Sequence, residues 1–243
     1  MRAAEGVVVL EGAELLGVAL DAGVSIEAVY VSPKGRTSPA ASAVVDRAFG
    51  SGVRVYDLSE GVVERIADTV TAQPVLAVAA YSSRPLDAVL EERLLVVGVD
   101  LRDPGNVGTV IRTADAAGAG GVVLCQGSVD PTNPKTVRSS AGSLFHLPVV
   151  LGGDPSEVLS RLTSAGFTTV GTLVRSGEDY STFDWNRPVA IVLGNEAAGL
   201  PDDLARSLSA RVTIPMAGRA ESLNVSAAAA VLCFEAARQQ RLA

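Results

Sequence analysis

Short β-branched runs alternate with alanine- and leucine-rich stretches along almost all of the 243-residue chain, and this alternation constrains the fold more than any other feature. Candidate strands are IEAVYVS from Ile26, VRVY from Val53, VLAVAAY from Val75, LLVVGVD from Leu94, GVVLC from Gly121, TTVGTLV from Thr168 and VAIVLG from Val189. Between them, residues 12–22, 38–49, 58–68, 106–117, 155–165, 202–208 and 224–241 read as helices. Runs such as VVGVD and AIVLG have no polar face, as expected of strands covered on both sides. The pattern predicts an α/β protein with a mainly parallel sheet and helices on both faces. The polar stretch SSRPLDAVLEE, with Pro85, interrupts it. It predicts a small α/β domain over residues 1–81, a linker over 82–91 and a larger domain over 92–243.

Composition acts mostly by exclusion. The longest apolar run, Ala227 to Phe234, is eight residues, against the roughly 18–20 that span a bilayer. The opening MRAAEGVVVLEG places a glutamate where a secretory leader needs apolar residues. Neither an integral membrane protein nor a secreted one is expected. Cys125 and Cys233 lie far apart in apolar runs, which fits a reducing cytoplasm better than a disulfide scaffold. With His146 the single histidine, no metal site is expected.

Residues 1–90 carry 7 basic and 11 acidic side chains and residues 91–243 carry 13 and 16, so the two parts contribute −4 and −3 to the net charge of −7. Neither part has the basic footprint of a general nucleic-acid binder. Of the 20 cationic residues only Lys34 and Lys135 are lysines. A polyanionic partner would have to be held by a few well-placed arginines, which suit bidentate phosphate contacts.

Three segments concentrate polar residues and glycines just after apolar strands, where open α/β sheets bind ligands. In VGVDLRDPGNVGTVIRTADAAGAGGVVL, residues 97–124, Asp103, Pro104 and Gly105 open a helix that carries Asn106 and, six positions on, Arg112. Capping alone would explain Asp103 or Asn106. Arg112 is harder to explain that way, because it interrupts an apolar stretch. In VAIVLGNEAAGLP, residues 189–201, a fully apolar strand runs into Gly194, Asn195 and Glu196. A carboxylate there needs hydrogen bonds or a catalytic task, although a turn and a cap would also account for it. In TIPMAGRAESLNVSAAAAVLCFEAARQ, residues 213–239, Glu221, Ser222, Asn224 and Ser226 exceed what one helix cap requires. The four alanines Ala227 to Ala230 permit close helix packing, within the domain or against a second subunit.

In this order the three segments resemble the signature motifs of the SpoU family, the SPOUT-class RNA ribose 2′-O-methyltransferases. The likeness runs through NVGTVIRTADAAG, VLGNEAAGLP and IPMAGRAESLNVSAAAA, with NPKTVRSSAGSLFHLPV between the first two, and covers nearly all of residues 94–241. Residues 1–80 resemble the small substrate-binding module that often precedes the catalytic domain. The resemblance implies a C-terminal trefoil knot, S-adenosylmethionine as cofactor, RNA as substrate and a homodimer that completes the site. Ribosomal RNA is favoured over transfer RNA, with antibiotic resistance one role such an enzyme can have.

By the same resemblance Leu193, Gly194, Asn195, Glu196, Ile214, Met216, Ser222 and Leu223 would line the cofactor pocket. Asn106, Arg112, Glu196, Ser222 and Asn224 would form the catalytic group. Arg112 would serve as a cationic clamp on the reacting hydroxyl, since a guanidinium with a pKa above about 12 rarely gives up its proton. Asn106 would orient Arg112 or the ribose, Glu196 would hold an arginine or a backbone amide, and Ser222 and Asn224 would complete the network. Lys135 and Arg138 would face RNA, and Arg102, Arg175 and Arg219 lie near motif loops. His146 is expected to be structural. Two features depart from the family's habit: Ala198 stands where relatives often carry a larger side chain, and no basic leader precedes the first strand. Two rival classes are a catalytically silent RNA-binding protein of this fold and a small-molecule enzyme with a nucleotide cofactor.

Overall fold

The computed structural model describes residues 6–66, 72–174 and 176–242. The first unit contains β1 (Val7–Glu11), α1 (Ala13–Asp21), β2 (Ile26–Val31), α2 (Pro33–Thr37), α3 (Pro39–Gly50), β3 (Arg54–Asp57), α4 (Val62–Ile66) and β4 (Val75–Ala80). Its four strands form a sheet of their own in the order β1-β4-β2-β3. β4 runs antiparallel to both of its neighbours and only β2 and β3 are parallel. This unit is the expected small α/β domain, built on a mixed sheet. Alternation of strands and helices by itself does not say that β4 returns between β1 and β2. α4 begins later than the expected residue 58, with Gly61 at φ 77° just before it; residues 67–71 lie outside the described ones.

The second unit contains β5 (Leu94–Gly98), α5 (Pro104–Ala117), β6 (Gly121–Cys125), α6 (Pro134–Ser139), β7 (Val149–Gly153), α7 (Pro155–Ser164), β8 (Thr168–Thr172), β9 (Glu178–Asp179), β10 (Val189–Leu193), α8 (Asp202–Ser207), β11 (Ala210–Thr213) and α9 (Val225–Leu242). Its seven strands lie in the order β7-β6-β5-β10-β8-β11-β9, and every neighbouring pair is parallel. This is the expected α/β architecture. β5, β6 and β10 are buried along their whole length. Their alternate residues separate cleanly: Val96, Leu124 and Ile191 join the core under α5 and α9, while Val97, Val123 and Val192 join the core under α7 and α8. β7, β9 and β11 escaped the sequence reading. β7 begins behind Pro148 and ends in two glycines, and the other two are very short.

Helix α5 carries its own punctuation. The Asp103 carboxylate accepts from the Asn106 amide at 2.9 Å, Pro104 occupies the first turn, and Gly118, left-handed at φ 79°, ends the helix. Capping thus falls to Asp103, which leaves the Asn106 side chain free for other work. The two units pack directly together. α6 lies against β1, Arg138 Nη1 on α6 pairs with Glu11 Oε2 on β1 at 3.3 Å, and a Cβ on Gly142 would sit 2.5 Å from Val18 of α1.

Candidate functional site

The strand order reverses around β10. The chain lays down β5, β6 and β7 outward in one direction, then places β8 on the far side with β10 between it and β5. Reversals of this kind open a crevice at the carboxyl ends of the strands. A cavity of about 460 Å³ lies there, within the range of small-molecule sites. Three segments wall it: the end of β8 and the residues after it (Thr172, Leu173, Val174), the turn after β10 (Gly194 to Gly199) and the segment joining β11 to α9 (including Ile214, Met216 and Leu223).

The turn after β10 is tightly specified. Asn195 and Gly199 exchange backbone hydrogen bonds at 3.0 and 2.9 Å. The Asn195 side-chain oxygen accepts from the amides of Ala197 and Ala198, both at 3.0 Å. Its amide nitrogen donates to the Asp100 carbonyl at 2.9 Å and to Asp100 Oδ2 at 3.3 Å. Asp100 adopts a left-handed backbone, φ 53°, uncommon for a residue with a side chain. That conformation turns both its carbonyl and its carboxylate toward Asn195, and Asp100 Oδ1 also accepts from Arg102 Nε at 2.9 Å.

Beside this turn a chain of hydrogen bonds links all three polar segments. Asn224 Nδ2 donates to Asn106 Oδ1 at 3.0 Å, and Asn106 Nδ2 donates to Glu196 Oε1 at 3.1 Å. Glu196 also accepts from the Asp103 amide at 3.2 Å and the Arg102 amide at 3.3 Å, at the entrance to α5. Asn224 meanwhile caps α9, its Oδ1 accepting from the amide and hydroxyl of Ser226 at 2.9 and 2.6 Å. Each amide side chain therefore uses its oxygen and its nitrogen on different elements, which fixes its orientation. Burial alone would push the Glu196 carboxyl up, but hydrogen bonds from Asn106 and from the Arg102 and Asp103 amides outweigh it and hold it below the ordinary glutamate range. Asp103 is likewise lowered, by the Asn106 amide first and by the Lys135 ammonium, 3.1 Å away.

The structure thus brings together Asn106, Glu196 and Asn224. Of the expected cofactor residues, Gly194, Asn195, Glu196, Ile214, Met216, Ser222 and Leu223 line the cavity. Leu193 does not: its side chain is fully buried and its carbonyl accepts from Val99 at 2.9 Å. Ser222 lines the cavity yet makes no side-chain hydrogen bond among the described residues, so it stands apart from the network it was expected to complete. Arg112 is exposed on α5, lies outside the cavity lining of its own chain and has no ion pair among the described residues. Lys135 and Arg138 are engaged by Asp103 and Glu11. His146 is half-exposed, 3.6 Å from Asp115, and Arg175 lies outside the described residues. Thr172 and Leu173 were missed because the strand they end carries no polar cluster; the carboxyl-end rule applied to every strand would have found them.

Residues 93–234 match the SpoU rRNA Methylase family, and residues 1–77 match the MRM3-like substrate binding domain. The chain belongs to the SpoU rRNA methylase family. It is 40% identical over 184 residues to RlmP, the 23S rRNA (guanosine(2553)-2'-O)-methyltransferase of Bacillus subtilis, covering 76% of this chain and 73% of that one. It is 39% identical over 173 residues to the 23S rRNA (uridine(2479)-2'-O)-methyltransferase of Streptomyces viridochromogenes, covering 68% of this chain and 60% of that one. Among solved structures, the AdoMet bound rRNA methyltransferase from Sinorhizobium meliloti superposes with a TM-score of 0.85 at 35% identity, over 98% of this chain and 89% of that one. The SpoU methyltransferase AviRb from Streptomyces viridochromogenes, in complex with AdoMet, gives 0.85 at 32% identity over 99% and 92%. In this SpoU family chain, the network from Asn224 through Asn106 to Glu196 joins the three motif segments at one edge of the cavity.

Proposed function

We propose that the chain transfers a methyl group from S-adenosylmethionine to a ribose 2′-hydroxyl of structured RNA, ribosomal RNA rather than transfer RNA. The observation that carries this reading is the sign of the pocket. Glu196 and Glu221 line it, and among the described residues no lysine, arginine or histidine does. Carboxylates favour a net-cationic sulfonium donor, whereas a phosphate-bearing cofactor would meet two negative charges and no cation. That weighs against the nucleotide-cofactor rival. Relatives that act on 23S rRNA support the ribosomal substrate.

When bound, S-adenosylmethionine supplies a methyl group on a sulfonium that departs as a neutral thioether. The chain's own residues have to hold the ribose in line and stabilise the charge that builds on its oxygen. Among the described residues no cation lines the pocket to do so. Arg112, exposed and without an ion pair, supplies it across a homodimer interface. Ala116 on α5 and Phe234 on the neighbouring α9, the latter 46% exposed, fit such an interface. Asn106, fixed between Glu196 and Asn224, positions the entrance of α5, and the proton leaves through phosphate or water.

The division at residues 82–91 makes residues 1–81 the RNA-binding module and 92–243 the catalytic domain. The trefoil knot is supported by the insertion of β10 between strands laid down before it and by the loops after β10 and β11 walling one pocket. Among the described residues no helix is long and apolar enough to cross a membrane, and no group of three or more potential metal ligands gathers. A cytoplasmic location goes with the substrate.

Subunit complementation tests the reading. Arg112→Ala should bind S-adenosylmethionine normally and lose methyl transfer. Mixing it with a pocket-defective Gly194→Ala subunit should restore part of the activity, because the mixed dimer joins one intact pocket to one intact Arg112. An Arg112→Ala enzyme with the full single-turnover rate would overturn the assignment. Absence of methyl incorporation into RNA by wild-type enzyme that binds the cofactor would favour the catalytically silent RNA-binding protein. Mapping the modified nucleotide separates ribosomal from transfer RNA and a housekeeping from a resistance role.

A further inference from the structure

A second cleft, of about 300 Å³, lies where the two units meet. Three segments wall it: the turn between α1 and β2, the linker that follows β4, and the turn leading into β7. The walls are tied by backbone hydrogen bonds, Ala80 to Ser25 at 2.8 Å and Arg84 to Val149 at 2.9 Å. Arg84 therefore stands on a fixed backbone at the edge of the seven-stranded sheet.

The chemistry of the lining is unusual for a chain of net charge −7. No aspartate or glutamate lines this cleft, whereas Arg84, His146, Ser25 and Ser82 all do. The side chains of Arg84, Ser25 and Ser82 are exposed and make no hydrogen bond or ion pair among the described residues. His146 turns Nδ1 toward Asp115 at 3.6 Å. Lys135 and Arg138, the cations expected from the sequence to face RNA, are by contrast both held by carboxylates. A free guanidinium with two hydroxyls is a donor set matched to a phosphate.

We propose that this interdomain cleft binds a backbone phosphate of the RNA substrate, with Arg84 as its anchor and the Ser25 and Ser82 hydroxyls as neutral donors. The proposal rests on the reading of RNA as substrate. The cleft lies at the amino end of β7, whereas the cofactor pocket lies at the carboxyl ends of the strands. The contact therefore holds the body of the RNA and the angle between the two units, not the reacting ribose. Phosphate contacts fix register and carry no sequence information, so the test does not require the target nucleotide.

The experiment is filter binding of labelled, deproteinised large-subunit ribosomal RNA fragments between about 50 and 200 mM KCl. Arg84→Gln should weaken binding roughly three- to tenfold and lower the slope of log affinity against log salt by about 1. Arg84→Lys should restore the slope and part of the affinity. Ser25→Ala and Ser82→Ala should weaken binding without changing the slope. Cofactor binding by calorimetry and the single-turnover rate at saturating RNA should stay at wild-type values in Arg84→Gln. An unchanged slope and affinity in Arg84→Gln, with wild-type enzyme binding RNA normally, would overturn the proposal and leave the methyltransferase reading intact. Failure of wild-type enzyme to bind RNA would overturn both. Inorganic phosphate giving a heat that Arg84→Gln abolishes, with RNA binding untouched, would assign the cleft to a free anion instead.

Discussion

Replacing Gly194 by alanine should damage the cofactor pocket through space alone. Gly194 is buried and its backbone is outside the left-handed region, so alanine can adopt its φ without strain. The added Cβ, however, would meet Gly199 and Leu200 backbone atoms, at 2.5 Å from the Leu200 nitrogen and 2.6 Å from the Gly199 carbonyl oxygen. Ordinary contact begins near 3.5 Å, so the returning limb of the turn must withdraw by about 1 Å. The reciprocal Asn195–Gly199 hydrogen bonds, at 3.0 and 2.9 Å, hold that limb in place. Overpacking of this kind costs about 1–3 kcal/mol, and losing the two hydrogen bonds adds about 1 kcal/mol each where the turn yields. A total of about 3–5 kcal/mol corresponds to a drop in Tm of roughly 6–20 °C for a protein of this size. The same shift moves a wall of the cavity and should weaken S-adenosylmethionine binding more than about tenfold, since a 1 Å misplacement costs on the order of 10²-fold where positioning matters. Thermal melts and calorimetry with S-adenosylmethionine measure both. Gly218→Ala is the control: it lies in the segment joining β11 to α9, where a Cβ meets nothing within 4 Å. A Gly194→Ala protein that binds the donor within twofold of wild type would refute the reasoning.

Two other perturbations probe the supports of the pocket. Asp100→Gly removes the carboxylate shared by Asn195 and Arg102 but relieves a left-handed residue whose strain is about 1 kcal/mol. Stability should therefore change little while S-adenosylmethionine affinity falls about three- to tenfold; unchanged affinity in calorimetry would show that the Asp100 carbonyl suffices to hold Asn195. The Glu196 carboxyl is held below its ordinary value, so its contribution is complete at neutral pH and is lost as pH falls through the lowered folded value. The stability difference between wild type and Glu196→Gln should stay constant from about pH 8 to 5 and shrink below about pH 4; a difference that disappears near neutrality would contradict the network.

Much of the second unit is legible in the sequence because burial on both faces leaves a local trace. The runs at β5, β6 and β10 have no polar side, and the order Asp103, Pro104, then Gly118 delimits α5. The resemblance directs attention to Asn106, Glu196 and Asn224, and the chain folds them into one hydrogen-bonded line across separations of 90 and 118 residues. Other expectations required the fold. Leu193 belongs to the same motif as Gly194, but its side chain joins the core under α5 and α9 and does not line the cavity. Arg112 interrupts an apolar run because it is exposed on α5, and it lies outside the lining of its own chain's pocket. In the first unit, the return of β4 between β1 and β2 makes a mixed sheet that strand–helix alternation could not distinguish from a parallel one.

Local periodicity and caps, with the motif resemblance, determined the elements, their buried faces and the polar loops that matter. Tertiary structure alone decided strand order, the negative lining of the pocket, the division of labour between Asp103 and Asn106, and the freedom of Arg84 in the cleft between the units. The physical reason is that a side chain's direction follows from the repeat of its own strand or helix. Its partners depend on how β10 packs between β5 and β8, which is set by the burial of the whole sheet at once.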